Sequence, residues 1–127
     1  MPWAMTAHVL YIELDEDKPA TMSAKVIKMI RTDIGFDGVL LSDDLSMQAL
    51  DGSIKCRAAG ALAAGCDVVL HCNGDMAEML QVASGSVPLS NQAIKRVKRA
   101  EDMRLQNKAP LNGAYNDAVQ RLEAMMI

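Results

Sequence analysis

Gly38-Val-Leu-Leu-Ser-Asp-Asp-Leu-Ser-Met47 is an apolar run that stops on two adjacent carboxylates. A short continuous apolar run such as residues 38–41 is typical of a buried strand. One acid at the end of a buried strand is common, but two acids flanked by serines indicate a site. Asp43 and Asp44 are therefore the first candidate site residues, and the segment after them is expected to be helix-like.

Two further apolar runs, residues 5–12 and 66–72, predict the other strands of the same sheet. Helical spacing of apolar residues predicts helices at 23–34, 54–64 and 76–83, a long polar helix after Ser90, and a last helix after a break at 110–113. The order is thus βα, βα, βα and then two helices. Apolar strands separated by helices predict parallel pairing with both faces of the sheet covered.

The composition indicates a single globular domain without a strongly charged surface. The chain has 127 residues, of which 50% are hydrophobic and 23% are charged, and its net charge is −3. This charge offers no field that would recruit nucleic acid or an anionic membrane. The basic cluster at 95–99 is interpreted as a solvated helix face rather than a nucleic-acid patch. No apolar run approaches the ~20 residues of a membrane span.

The three cysteines indicate a reducing compartment. Cys56, Cys66 and Cys72 form an odd set without a Cys-x-x-Cys pair, so their spacing fits neither zinc binding nor thioredoxin-type redox chemistry. The first residues carry no basic region and no long apolar stretch, so we expect no signal peptide. We therefore expect a cytoplasmic protein with neither a metal nor a cofactor.

Three stretches in the same order resemble a known family. They are Met5-Thr-Ala-His-Val9, Ile34-Gly-Phe-Asp-Gly-Val-Leu-Leu-Ser-Asp-Asp-Leu-Ser-Met47 and Ala63-Ala-Gly-Cys-Asp-Val-Val-Leu-His-Cys-Asn-Gly74. Together they resemble the last part of the catalytic barrel of bacterial β-N-acetylhexosaminidases of glycoside hydrolase family 3. The resemblance runs from about residue 2 to at least residue 105.

The resemblance implies an α/β fold that is part of a TIM (β/α)8-type barrel, which typically needs about 250 residues. Residues 1–127 would form a partial catalytic domain. Residues 3–88 would be the last three βα units, and residues 89–127 would be C-terminal helices. The first five βα units would then be absent from this chain.

The resemblance also implies a reaction and a nucleophile. Family members remove β-linked N-acetylglucosamine from peptidoglycan fragments with a retaining mechanism, so the expected substrate is an N-acetylglucosaminide or a muropeptide. Asp43, which directly follows Ser42 at the end of the seventh barrel strand, matches the nucleophile, and capping of the next helix is the alternative. Asp44 is expected to orient the site or to cap that helix.

The second catalytic group is not found in this sequence. The resemblance implies an acid/base histidine with an aspartate two residues before it, but Thr6 and Val69 precede His8 and His71 at that spacing. No general acid can be assigned. His8 is expected to be a core histidine, with substrate contact as the alternative. Asn73 is expected to form a turn with Gly74, again with substrate contact as the alternative.

Three functional interpretations follow. The first is a truncated β-N-acetylhexosaminidase that is inactive alone. The second is a non-catalytic partner, because exposed strand edges invite pairing, either with a separate N-terminal barrel half or within a homo-oligomer. The third is an open α/β signalling domain with Asp43 and Asp44 as a metal-binding or phosphoacceptor pair. It is disfavoured because no other predicted strand ends in an acid pair.

Overall fold

A three-stranded parallel sheet organises the computed structural model, which describes residues 1–106 and 114–125. The strands are β1 (Trp3–Met5), β2 (Val39–Asp44) and β3 (Val68–Leu70), in the spatial order β1-β2-β3. Ala4 aligns with Leu40, and Leu41 aligns with Val68. The predicted α/β class and the parallel order of the strands are confirmed.

Within the described residues, five α-helices connect or follow the strands, and a short 3-10 helix (Ala20–Met22) precedes α1. The α-helices are α1 (Ala24–Thr32), α2 (Ile54–Ala64), α3 (Met76–Gly85), α4 (Asn91–Gln106) and α5 (Ala114–Met125). The side chains of Ser23, Ser53 and Asp75 accept backbone N–H bonds at the starts of α1, α2 and α3. Gly65 ends α2 with a φ of 115°, a left-handed conformation that favours glycine. The predicted break at 110–113 lies outside the described residues.

The first predicted strand is misplaced. Residues 5–12 are apolar, yet β1 ends at Met5 and the chain then turns away from the sheet. Backbone N–H groups of Ala20 and Thr21 donate to the carbonyls of Val9 and Ala7, which closes this segment as a loop. Its apolar side chains remain largely exposed, so the hydrophobic run does not mark a buried strand.

Three smaller corrections concern β2, the segment after it and β3. β2 extends to Asp44, so both carboxylates belong to the strand itself. Residues 47–50 form turns rather than a helix, since α2 begins only at Ile54. β3 spans three residues rather than the predicted seven of 66–72.

The core lies between one face of the sheet and helices α1 and α2. Buried Leu40 contributes to it from β2, and Ile27, Ala58 and Ala61 contribute from the helices. On β1, Ala4 packs on this core, whereas Trp3 and Met5 are 41% and 53% exposed. Successive strand residues point to opposite faces. The expectation that both faces are covered is therefore wrong for this part of β1, as far as residues 1–106 and 114–125 show.

Charged side chains attach α4 to the edge of the sheet where β2 and β3 begin. The Asp67 carboxylate accepts hydrogen bonds from Arg31 at 2.7 Å, from Arg96 at 2.9 Å and from the backbone N–H of Leu40 at 3.0 Å. Arg96 and Arg99 also pair with Asp37. Two cations of the basic cluster at 95–99 therefore have acidic partners within the protein.

Candidate active site

The candidate site lies at the edge of the sheet where the parallel strands end. β2 ends on Asp43 and Asp44, and His71 follows the last residue of β3. His8 lies three residues beyond the end of β1, in the loop rather than on a strand as predicted. The carboxyl ends of parallel strands meet at one edge, which is where barrel enzymes and open α/β sheets bind ligands.

Asp43 is partly buried, and its carboxylate forms few hydrogen bonds with the protein. Among the residues that the structure describes, its one hydrogen bond comes from the backbone N–H of Asp44, at 2.8 Å to Oδ1. This bond fixes one carboxylate oxygen. The second oxygen therefore remains available for a reacting group.

In contrast, both carboxylate oxygens of Asp44 accept hydrogen bonds from the protein. Its Oδ1 accepts the backbone N–H groups of Ser46 at 3.0 Å and Cys72 at 3.1 Å, and its Oδ2 accepts the Ser46 hydroxyl at 2.6 Å. The Ser46 hydroxyl is the main reason that the pKa of Asp44 is lowered, against the opposing effect of desolvation. Asp44 thus stays ionised and joins the end of β2 to the end of β3.

The prediction that Asp44 caps a helix is wrong. The next helix, α2, begins at Ile54 and is capped by the side chain of Ser53. The two hydrogen bonds that Asp44 accepts from Ser46 instead close an Asx turn, which aspartate commonly forms. The other predicted role of Asp44, to orient the site, stays a prediction.

His8 has protein partners at both ring nitrogens. Its Nε2 lies 2.8 Å from the backbone carbonyl oxygen of Asp44, and its Nδ1 lies 2.9 Å from the hydroxyl of Thr21. A histidine held in this way has no free ring nitrogen to offer a substrate. The contacts fit the core histidine that the sequence favoured. No sequence signal indicated Thr21.

Asn73 shapes the turn between β3 and α3. Its Oδ1 accepts the backbone N–H of Asp75 at 2.8 Å, and its Nδ2 donates to Glu78 Oε2 at 2.5 Å. Gly74 follows with a φ of 73°. The side-chain amide is therefore occupied by the turn that was predicted for it, and the sequence did not reveal Glu78 as its partner.

His71 is a buried histidine with two acidic neighbours. Its side chain is 6% exposed, with Nε2 3.4 Å from Glu78 Oε2 and Nδ1 4.0 Å from Asp44 Oδ1. Within the described part of the chain neither ring nitrogen has a hydrogen-bond partner. Its burial keeps the ring from the solvent side of the site.

The cysteines and acids of this region do not form a metal centre. Burial raises the pKa of the Cys66 thiol to about 11, so this cysteine is a neutral packing residue. Residues 1–106 and 114–125 contain no cluster of three or more histidine, cysteine or acidic side chains placed to bind a metal.

None of the described helices is both long and apolar enough to cross a membrane.

A family model decides the affiliation of this fold. The model of the glycosyl hydrolase family 3 N terminal domain matches residues 2–101. The chain belongs to glycosyl hydrolase family 3. The resemblance inferred from the three sequence stretches is confirmed, and the interpretation as a signalling domain is wrong.

Named relatives agree with this family. A β-hexosaminidase of Bordetella avium is 41% identical over 104 residues, which are 79% of this chain and 29% of the relative. The structure of a family 3 β-N-acetylglucosaminidase from Paenibacillus sp. superposes with a TM-score of 0.66 at 29% identity, over 82% of this chain and 22% of the other.

A third relative is NagZ of Neisseria gonorrhoeae, whose structure was solved in complex with N-trifluoroacetyl-D-glucosamine. It has a TM-score of 0.61 at 37% identity, over 74% of this chain and 26% of its own. The chain spans less than a third of the length of these three relatives.

Proposed function

We propose that this chain is the nucleophile-bearing part of a retaining β-N-acetylhexosaminidase barrel. Its substrate would be β-linked N-acetylglucosamine on peptidoglycan fragments, and it would act in the cytoplasm without a cofactor. The observation that carries this proposal is the contrast between two adjacent carboxylates at the end of β2. Asp44 is held by three hydrogen bonds, whereas Asp43 accepts one and keeps an oxygen free.

Asp43 would act as the nucleophile. A retaining glycosidase needs a carboxylate that attacks the anomeric carbon, displaces the leaving group and forms a covalent glycosyl-enzyme, which water then hydrolyses. The backbone N–H of Asp44 holds one oxygen of Asp43 and so limits the rotation of the carboxylate. Because Asp44 is held by Ser46 and Cys72, it supports the strand end rather than reacting itself.

We expect the general acid/base to come from a part of the barrel other than this chain. His8 has both ring nitrogens engaged, and His71 is buried between Asp44 and Glu78. Neither is placed to protonate a leaving group. General acid–base catalysis typically contributes about 10²–10⁴-fold in rate, and the loss of binding groups would add to that deficit. The isolated chain would therefore have no useful hydrolase activity.

A specific observation favours a second role, that of a partner subunit. The sheet has three strands, so β1 and β3 each leave one edge unpaired within the described residues. Trp3 and Met5 on β1 are 41% and 53% exposed. A separate N-terminal barrel half would pair with both edges and cover this face, since closure of a barrel removes its edges. Self-association into a homo-oligomer is the alternative.

Release of a chromophore from an aryl β-N-acetylglucosaminide tests these proposals. The chain would be assayed alone and together with the N-terminal barrel half of a relative, beside an Asp43→Ala variant. We expect activity only in the mixture, and we expect the variant to abolish it. Turnover by the isolated chain at the rate of full-length relatives would contradict the proposal, as would turnover by the mixture that contains Asp43→Ala. Light scattering of the chain alone would detect a homo-oligomer.

A further inference from the structure

We propose that His8 is a positioning residue that fixes the end of β2, and with it the carboxylate of Asp43. It would act through the backbone carbonyl of Asp44. Its catalytic consequence rests on the proposed function, whereas its structural consequence does not. The contacts involve three parts of the chain that are distant in sequence: the loop after β1, the turn before α1, and the end of β2.

The side chain of His8 replaces missing strand pairing. β1 pairs with β2 only from Val39 to Leu41, and the last backbone bond between them runs from the N–H of Thr6 to the carbonyl of Leu41, at 2.9 Å. Beyond this point β1 has ended while β2 continues for three residues. The imidazole reaches the Asp44 carbonyl at 2.8 Å, beyond the last backbone bond between β1 and β2.

Two buried threonines hold the imidazole from its other side. The Thr21 hydroxyl lies 2.9 Å from His8 Nδ1 and 2.9 Å from the hydroxyl of Thr6. The Thr6 hydroxyl in turn lies 3.2 Å from the carbonyl of Leu41. Thr6 and Thr21 are both buried, so their hydroxyl groups must find partners inside the protein.

The hydrogens available for these bonds select one tautomer of His8. A carbonyl only accepts, so His8 Nε2 must carry the hydrogen that reaches Asp44. In that tautomer Nδ1 is an acceptor and takes the hydroxyl hydrogen of Thr21, and the one hydroxyl hydrogen of Thr6 goes either to the oxygen of Thr21 or to the carbonyl of Leu41. The Leu41 carbonyl keeps the backbone N–H of Thr6. Every polar group is satisfied, and the ring is fixed in orientation.

The peptide group between Asp44 and Leu45 is thereby held from both sides. On the β1 side, His8 binds the carbonyl of Asp44. On the β3 side, the next N–H, that of Leu45, donates to the carbonyl of Leu70 at 2.9 Å. The N–H of Asp44 itself donates to Asp43 Oδ1 at 2.8 Å. Loss of the bond from His8 would therefore loosen the Asp44–Leu45 peptide, which adjoins the peptide whose N–H binds the nucleophile.

Imidazole NMR of the full chain tests the arrangement directly, because the sequence contains only two histidines. We expect nitrogen shifts of His8 that correspond to hydrogen on Nε2. A His8 ring with its hydrogen on Nδ1, or an even mixture of tautomers, would overturn the proposal. Thr21→Val should perturb the His8 shifts, and Thr21→Ser should restore them.

A matched pair of substitutions separates positioning from packing. His8→Gln can keep an N–H donor near the position of Nε2, whereas His8→Asn cannot reach the carbonyl of Asp44. In His8→Asn we expect the backbone amides of Leu45 and Cys72 to exchange with solvent roughly three- to tenfold faster, because one hydrogen bond is lost. His8→Gln should remain close to the wild type.

The Leu40 amide, which donates to Asp67 at the opposite end of the strand, is the internal control and should not change. Unchanged exchange at Leu45 in His8→Asn would overturn the proposal, as would an equal acceleration at Leu40. If His8→Asn does not fold, the tautomer of the wild-type ring and exchange in His8→Gln still decide the matter.

A kinetic readout then links positioning to catalysis. In the mixture with an N-terminal barrel half, His8→Asn should lower kcat by at least the same three- to tenfold with KM little changed, and His8→Gln should recover most of it. Equal activity of His8→Asn and the wild type would overturn the catalytic part. A wild-type mixture without any turnover would count against the proposed function alone, since the NMR and exchange results do not depend on hydrolysis.

Discussion

Replacing Asp67 with asparagine removes the negative charge that two arginines share where β3 begins. The Asp67 side chain is 4% exposed, and its carboxylate accepts bonds from Arg31 at 2.7 Å, from Arg96 at 2.9 Å and from the N–H of Leu40 at 3.0 Å. An asparagine fills the same space but carries one acceptor oxygen in place of two. Its amide hydrogens would face a guanidinium group.

The expected loss of stability follows from the burial of Arg31 and Arg96, which would no longer pair with a negative charge at position 67. Removing one partner of a buried ion pair typically destabilises a protein by about 3–5 kcal/mol, because the other charge stays buried without compensation. The arginine side chains are 15% and 14% exposed, so water can partly solvate them. We therefore expect a loss near the lower limit, about 3 kcal/mol. This corresponds to a fall in melting temperature of roughly 12 °C or more for a domain of this size.

Urea unfolding of Asp67→Asn, followed by circular dichroism, measures this loss. Asp37→Asn is the matched control, because Asp37 also binds Arg96 and Arg99 but its side chain is 64% exposed. Solvent screening makes such surface pairs weak, so the control should change stability much less. An Asp67→Asn variant as stable as the wild type, or one no less stable than the control, would refute the reasoning.

Two further predictions concern single side chains. Ser46→Ala should raise the pKa of Asp44, because the Ser46 hydroxyl is the main cause of its lowering. A lowered carboxyl pKa stabilises the fold fully above the unfolded value and less as the pH falls through the folded value. The stability advantage of the wild type over Ser46→Ala should therefore shrink as the pH falls below about 4 in unfolding measurements, and a constant difference would contradict this. In the native protein, a thiol reagent at pH 8 should modify Cys56 and Cys72, because both are exposed. It should spare Cys66, because this thiol is buried and has a pKa of about 11. Mass spectrometry that finds three rapid modifications would contradict this placement.

The order of the strands could be predicted because it depends on local patterns. Apolar runs alternate with capped helices, and Ser23 and Gly65 mark boundaries through short-range rules that hold in the structure. The extent of the first strand could not be predicted in the same way. An apolar run indicates a tendency to be buried, but it does not reveal what covers it, and residues 9–12 have no cover in the described part of the chain.

The candidate site, too, could be predicted from local patterns only in part. The placement of Asp43 and Asp44 at the end of β2 could be predicted because both follow the apolar run 38–41 after Ser42. The partners of the histidines could not, since His8 binds Thr21 and the Asp44 carbonyl, which lie 13 and 36 residues away. Only the folded chain brings such groups together. Sequence spacing predicts the site edge but not its internal hydrogen bonds.

Trapping of the glycosyl-enzyme tests the central claim most directly. The chain would be mixed with an N-terminal barrel half and treated with a fluorinated N-acetylglucosaminyl donor that reacts in the first step but stalls before hydrolysis. Peptide mass spectrometry should then find one N-acetylglucosaminyl group on Asp43, and Asp43→Ala should remain unlabelled. A sugar attached to any other residue, or turnover by the mixture containing Asp43→Ala, would contradict the account.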